Sequence, residues 1–308
     1  MLVDRFGRPV TNLRITVTKR CNLNCIYCHG EGEFSSAERE MTAEEAKRIV
    51  EIAASSGVSR IKITGGEPLL RSDICEIISY FHDIPGIEEI SMTTNGTLLA
   101  DLARDLKGNG LSRVNVGFSS LKPGTYRKVT GADRVVDVKE GLVAAVEAGL
   151  TPVKLNMVVL KGLNDGEIWD MVDFAERSYI LQLIELERQG AAIEAFEKYY
   201  TDLDEIERQL RSRSDRVEVR SLNNRQIFHL KGKGSKVELV RPFHNSDFCR
   251  NCTRLRLTSS GKLKPCLMKN DNLVDILSLI RKGASEDILK GAFAAAILRR
   301  EPYYLADQ

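Results

Sequence analysis

Between residues 13 and 187 the spacing of apolar positions switches repeatedly between two periods. Short β-branched runs, apolar at alternate positions, lie at LRITV (13–17), SRIKIT (59–64), EEISMTT (88–94), SRVNVGF (112–118), VKLNMVVL (153–160) and ILQLIELE (180–187), and they read as strands. Between them apolar residues recur every three or four positions. TAEEAKRIVEIAASSG reads as a helix with Thr42 as its N-cap and Gly57 as its stop, and LLADLARDLKGNG and VVDVKEGLVAAVEAGL repeat the pattern. Six strand–helix units in series imply a parallel sheet with right-handed crossovers, either curled into a partial α/β barrel or open and doubly wound. In both, ligands gather at the carboxyl ends of the strands. After residue 190 the alternation stops. EAFEKYYTDLDEIERQLRSR reads as one charged helix, RVEVR, QIFHL and KVELV as short strands, and the last 35 residues as helical, with a hairpin turning at Ser260-Gly261. The division expected is 1–190 and an extension, 191–308, packed on it.

The 308 residues are 43% hydrophobic, enough for one large domain with an extension. A net charge of +2 gives no sign of a nucleic-acid-binding face, and no apolar run approaches the roughly 18 residues of a membrane span. MLVDRFGRPV does not read as a signal peptide, because an acid and two arginines interrupt it. The expectation is a cytoplasmic protein without nucleic-acid or membrane partners.

Six of the seven cysteines are clustered. Cys21, Cys25 and Cys28 form C-x3-C-x2-C directly after the first strand; Cys249, Cys252 and Cys266 form a second set of three. Clustered cysteines in a reducing compartment read as metal ligands. Three thiolates can hold three irons of a four-iron, four-sulfur cluster and leave the fourth open to an outside ligand, whereas most such clusters are closed by a fourth Cys. Zinc is the alternative, with His29 or His244 as the missing ligand, although the first spacing fits zinc's paired units poorly. Cys75, in an amphipathic helical run, reads as a small buried hydrophobe. The other polar and Gly-rich features fall at strand ends: GGEP (65–68), TTNG (93–96) and GFSS (117–120), with Lys154 in the fifth strand and Glu187 ending the sixth. Arg254 and Arg256 alternate with Leu255 and Leu257, so both face one side of a strand, where two guanidinium groups suit a polyanion such as a triphosphate.

CNLNCIYC followed by TGGEP resembles the radical S-adenosylmethionine superfamily. The resemblance implies that Cys21, Cys25 and Cys28 hold a 4Fe–4S cluster whose open iron binds S-adenosylmethionine, with Tyr27 packed on the adenine and Gly66 and Glu67 meeting the methionyl amino group. From Arg14 to Arg256 the chain is similar to the branch that cyclises GTP in the first step of molybdenum-cofactor biosynthesis. That likeness implies a partial (β/α)6 TIM-like barrel whose C-terminal α+β extension carries a second 4Fe–4S cluster on Cys249, Cys252 and Cys266. It also implies GTP contacts at Arg14, Lys62, Thr93, Lys154, Arg254 and Arg256, an external low-potential electron donor, and room for a homodimer. Departures from the family pattern are Gly117 for a serine at the end of strand four, Glu187 for a methionine at the end of strand six, and Lys62 for arginine. Two other classes stay open at this point: a radical peptide maturase with an auxiliary cluster, and an iron–sulfur electron carrier without catalysis.

Overall fold

The computed structural model describes residues 2–33, 39–176, 178–190, 192–232 and 234–305. Six strands, β1 (Asn12–Thr16), β2 (Arg60–Thr64), β3 (Glu89–Thr94), β4 (Arg113–Gly117), β5 (Val153–Val158) and β6 (Tyr179–Ile184), pair in parallel in chain order. They alternate with α1 (Ala43–Ser55), α2 (Ile74–His82), α3 (Leu99–Gly108), the pair α4 (Pro123–Thr130) and α5 (Val135–Glu147), and α6 (Ile168–Phe174). The expected partial (β/α)6 barrel is the fold. Thr42 caps α1 through a reciprocal capping box with Glu45, and Gly57 follows in the left-handed region at φ +100°.

The alternation in the strands separates two interior environments. Leu13, Ile15, Ile61, Ile63, Ile90, Met92, Val114 and Val116 are fully buried in the main core. Arg14, Lys62, Thr93, Asn115 and Lys154, on the opposite face, line a cavity. The polar face of this sheet is therefore turned to an enclosed site.

Beyond β6 come α7 (Ala192–Tyr199), α8 (Asp204–Arg213), β7 (Ser214–Arg220), β8 (Arg225–Leu230), β9 (Lys236–Val240), α9 (Ser246–Arg250), β10 (Arg254–Leu257), β11 (Lys262–Lys264), β12 (Val274–Asp275), α10 (Leu277–Arg281) and α11 (Glu286–Leu298). These strands do not form a separate sheet. β9 adds in parallel to β6 and β10 adds in parallel to β1, so both edges of the six-stranded set are extended. β8 and β7 continue antiparallel outside β9, and β11 and β12 outside β10.

Two boundaries differ from the sequence reading. The single charged helix is two, α7 and α8: Leu203 between them is fully buried, and the Asp202 carboxylate accepts the Asp204 N–H at 3.0 Å to restart the helix. β6 ends at Ile184, because its partner β9 ends at Val240 and Glu185 N–H makes the last rung to the Val240 carbonyl. Glu187 therefore lies in the following loop. The hairpin between β10 and β11 does turn at Gly261, where φ is +75° and a Cβ would stand 2.3 Å from that of Leu277. Cys75 packs against the main core from α2. No helix among the described residues is long and apolar enough to cross a membrane.

Candidate active site

In a parallel sheet, residues in register on neighbouring strands point to the same side, about 4.8 Å apart. The register aligns Arg256 of β10 with Arg14 of β1, Lys62 of β2, Ser91 of β3 and Arg113 of β4, and sets Asn115 beside Lys154 of β5. This cationic row, with Thr93 and Arg254, lines a cavity of about 410 Å³. Cys21, Cys25 and Cys28 open onto the same cavity, as do Cys249, Cys252 and Cys266. All six are free thiols. Two cysteine sets more than 220 residues apart in sequence thus share one cavity with the basic residues.

The loop of the first set is fixed from two sides. Asn24 and Ile26 donate their N–H groups to the carbonyls of Thr130 and Val129 at the end of α4. The amide of Asn95 donates to Asn22 at 2.7 Å, tying the loop to TTNG. GGEP packs beneath it: the N–H groups of Gly66 and Glu67 donate to the carbonyls of Thr18 and Arg20 at 2.8 and 2.7 Å. A Cβ on Gly66 would come within 2.3 Å of the Arg20 carbonyl oxygen, so the close approach that requires glycine here is to the chain's own backbone. Gly66 lines the cavity, whereas Glu67 is fully buried behind it. The Glu67 carboxylate accepts from Thr94 Oγ1 and from the Asn95 and Leu69 N–H groups, and burial pushes its carboxyl up to about 7. Its place is to join the GGEP and TTNG loops. Tyr27 reaches Ser119 at 3.0 Å, and Ser120 is taken by Glu167 at 2.6 Å. Burial pushes the Cys25 thiol up to about 12. His29, the candidate fourth ligand of a zinc site, accepts the Glu31 N–H on Nδ1 at 3.1 Å.

The second set hangs from both ends of the chain. Arg8 donates to the Cys249 carbonyl at 2.8 Å, and Arg300 donates to the Cys252 carbonyl at 2.5 Å; Asp4 pairs with both arginines. Burial raises the Cys252 thiol, but Arg254, Arg300 and Arg8 outweigh it and leave the thiol below its ordinary value.

Such a concentration of cations requires buried counter-charge. Glu31 pairs with Arg14 and Arg256, each at 2.5 Å, and Glu89 with Arg113 at 2.6 Å. Glu238, fully buried in β9, receives Lys154, Arg225 at 3.2 Å and Arg220 at 3.5 Å. Burial opposes ionisation of Glu238, but Lys154 and Arg225 outweigh it and hold the carboxyl below its usual range. Burial lowers Lys154 to about 8 despite this partner. Removing a buried charge that holds several others leaves them uncompensated, so Glu238→Ala should cost about 3–5 kcal/mol in denaturant unfolding. A loss below about 1 kcal/mol, the range of an exposed pair, would show that the cations find other partners. Even with these acids in place, the Nε–H groups of Arg14, Arg225 and Arg254 are buried without a hydrogen-bond partner. Each such orphan costs roughly 1–3 kcal/mol, and these three face protein and not the cavity. The charge of the lining itself suits an anionic guest.

Every residue expected from the sequence to bind metal, cofactor or substrate lines this cavity except Glu67. Gly117 and Glu187, which with Lys62 are the three departures, line it as well, and one Glu187 carboxylate oxygen is buried without a partner. Sequence reasoning missed Glu31, Arg113, Arg220, Arg225 and Glu238. A signal existed for Glu238, a lone acid inside the apolar run KVELV; Glu31, between two glycines, carries none.

Residues 15–175 match the family model of the radical SAM superfamily, and residues 179–306 match the Molybdenum Cofactor Synthesis C family. The first match covers more than half of the chain and makes it a member of the radical SAM superfamily, which agrees with a partial barrel whose first strand opens into C-x3-C-x2-C. The chain is 48% identical over 309 residues to a Thermococcus kodakarensis protein named "Probable GTP 3′,8-cyclase", covering 99% of this chain and 100% of that one. It is 45% identical over 304 residues to a protein of the same name from Methanothermobacter thermautotrophicus, covering 98% of each. Within the superfamily it belongs to the GTP 3′,8-cyclase family. Among solved structures, Streptococcus suis SuiB bound to S-adenosylmethionine superposes with a TM-score of 0.66 over 93% of this chain and 68% of that one; at 19% identity the likeness is one of fold.

Proposed function

We propose that this chain converts GTP to (8S)-3′,8-cyclo-7,8-dihydroguanosine 5′-triphosphate, the first step of molybdopterin biosynthesis. The observation that carries the reading is the cavity itself, where two sets of three free thiols share the lining with a row of cations. Full-length likeness to curated cyclases supports it.

In this reading Cys21, Cys25 and Cys28 hold one 4Fe–4S cluster, and Cys249, Cys252 and Cys266 the other. The donor sets fit: each offers three free thiols, the number that a four-iron cluster with one open iron takes. S-adenosylmethionine takes the GGEP side, with Tyr27 toward the adenine, Gly66 on the wall, and Glu67 acting through the loops it joins. When bound, cluster and S-adenosylmethionine supply the one-electron chemistry that removes the ribose 3′ hydrogen and lets that carbon join C8 of guanine. The chain's own part is position and charge. Arg14, Lys62, Thr93, Lys154, Arg254 and Arg256 hold the triphosphate and ribose between the two cysteine sets, and their burial strengthens each contact by excluding water. Residues 1–190 form the barrel with the first cysteine set and four of these six contacts, and 191–308 the extension that adds the second set, Arg254 and Arg256. The expected setting is the cytoplasm, with an external low-potential electron donor.

The test is isotope transfer. Anaerobically reconstituted protein, given dithionite, S-adenosylmethionine and GTP deuterated at the ribose 3′ carbon, should yield deuterated 5′-deoxyadenosine and a cyclised product. Unlabelled 5′-deoxyadenosine with unchanged GTP would remove GTP as substrate and favour a peptide; no 5′-deoxyadenosine at all would favour an electron carrier.

A further inference from the structure

We propose that Glu31 stands in for a phosphate of the substrate: its carboxylate occupies the two guanidinium groups that a triphosphate must reach, so the triphosphate binds by displacing it. The inference rests on the proposed function and concerns what sets the affinity for the phosphate part of the nucleotide.

The geometry is that of a phosphate site already filled by the chain. One carboxylate oxygen of Glu31 takes Arg14 Nη2 and the other takes Arg256 Nη1, both at 2.5 Å, and Thr64 Oγ1 donates to the first at 3.0 Å. Arg14 and Arg256 are in register on adjacent strands, so two like charges face each other at close range and need an anion between them. Carboxylate and phosphate use the same fork of guanidinium donors, so the two compete directly. Glu31 and both arginines line the cavity. The pair is therefore aimed at the cavity yet tied by an internal anion.

The backbone suits a side chain that has to leave. Gly30, Glu31 and Gly32 lie in succession in the left-handed region, at φ +54°, +53° and +72°. A non-glycine residue there is strained and persists only when its surroundings hold it. Here the two ion pairs, the Thr64 hydroxyl and the Glu31 N–H bond to His29 do so. The turn itself is held by the Glu31 and Gly32 N–H groups, which donate to His29 Nδ1 and the His29 carbonyl, so the Glu31 side chain can swing about its own χ angles without moving β1 or β10, which carry the arginines. A ligand that presents several charges to both guanidiniums repays the exchange, whereas a nucleoside without phosphates does not contest the pair at all.

The consequence is a penalty on phosphate binding that the isosteric Glu31→Gln change removes. Binding is measured by equilibrium dialysis on anaerobically reconstituted full-length protein, with GTP and guanosine as separate probes, and iron content confirms that each variant has folded. Glu31→Gln should bind GTP roughly tenfold more tightly than the wild type, because a competing closed state no longer lowers the competent fraction, and should bind guanosine equally well. Glu31→Asp, too short to span both guanidiniums, should shift GTP affinity in the same direction by less; it carries the test if the Gln variant fails to fold. Unchanged or weaker GTP binding in the folded variant would overturn the proposal and make Glu31 a structural strut. Loss of GTP and guanosine binding together would do the same. If the wild type bound GTP no better than guanosine, the triphosphate reading of the cavity would fall, and the proposal with it.

Discussion

Replacing Cys21, Cys25 and Cys28 together with Ala is expected to leave about four irons per chain where the reconstituted wild type holds about eight, and to abolish reductive cleavage of S-adenosylmethionine. Each set presents three thiols, and the loops that carry them are anchored separately. The first loop is tied to α4 and to Asn95, and the second is held by Arg8 and Arg300. Loss of one set should therefore spare the other. The remaining iron should keep the absorbance of an iron–sulfur cluster, because Cys249, Cys252 and Cys266 rest on Asp4, Arg8 and Arg300 and on none of the first loop's contacts. Iron analysis and a 5′-deoxyadenosine assay decide it. A triple variant that retained all its iron would show that the N-terminal thiols are not ligands.

The Arg254→Ala, Arg256→Ala double variant should lose GTP binding by at least about 100-fold, since each charge-assisted hydrogen bond to a triphosphate is worth about 1.5–3 kcal/mol. Both side chains line the cavity from β10, Arg254 with a buried unpaired Nε–H and Arg256 in the row with Arg14 and Lys62. Cleavage of S-adenosylmethionine without GTP should survive, because the side-chain hydrogen bonds of these arginines go to Asn223 and to Glu31, not to GGEP or residues 21–28. Equilibrium dialysis under anaerobic conditions measures the affinity. Binding equal to that of the wild type would move the triphosphate off this face of the cavity.

Much of this was legible before any coordinates. All six strands of the barrel appear as β-branched runs within three residues of their observed ends, because a strand covered by helices on one face must alternate. The Thr42 cap and the Gly261 turn are local chemistry, and local chemistry is readable from a few neighbouring letters. The failures are equally physical. α7 and α8 read as one helix because their charged faces share a period, and the burial of Leu203 with the Asp202 cap on the Asp204 N–H divides them. Glu187 read as the end of β6 because alternation continues past Ile184, while the strand stops where its partner does. The spacing of GGEP names Glu67 for the methionyl amino group but not the partners its carboxylate has in the fold, Thr94 Oγ1 and the Asn95 N–H.

The sequence by itself determined the class of chemistry. Two three-cysteine sets, GGEP after the second strand and a strand bearing Arg254 and Arg256 were sufficient, since each is a short run whose meaning lies in its own spacing. Tertiary structure alone decided the electrostatics. Arg256 meets Arg14 only because β10, from the far end of the chain, docks in parallel on β1, and Lys154 meets Glu238 only because β9 docks on β6. Which buried acid answers which buried base is a question of register between strands more than 80 residues apart. Burial then makes those pairings count, because desolvated charges cannot remain unmatched.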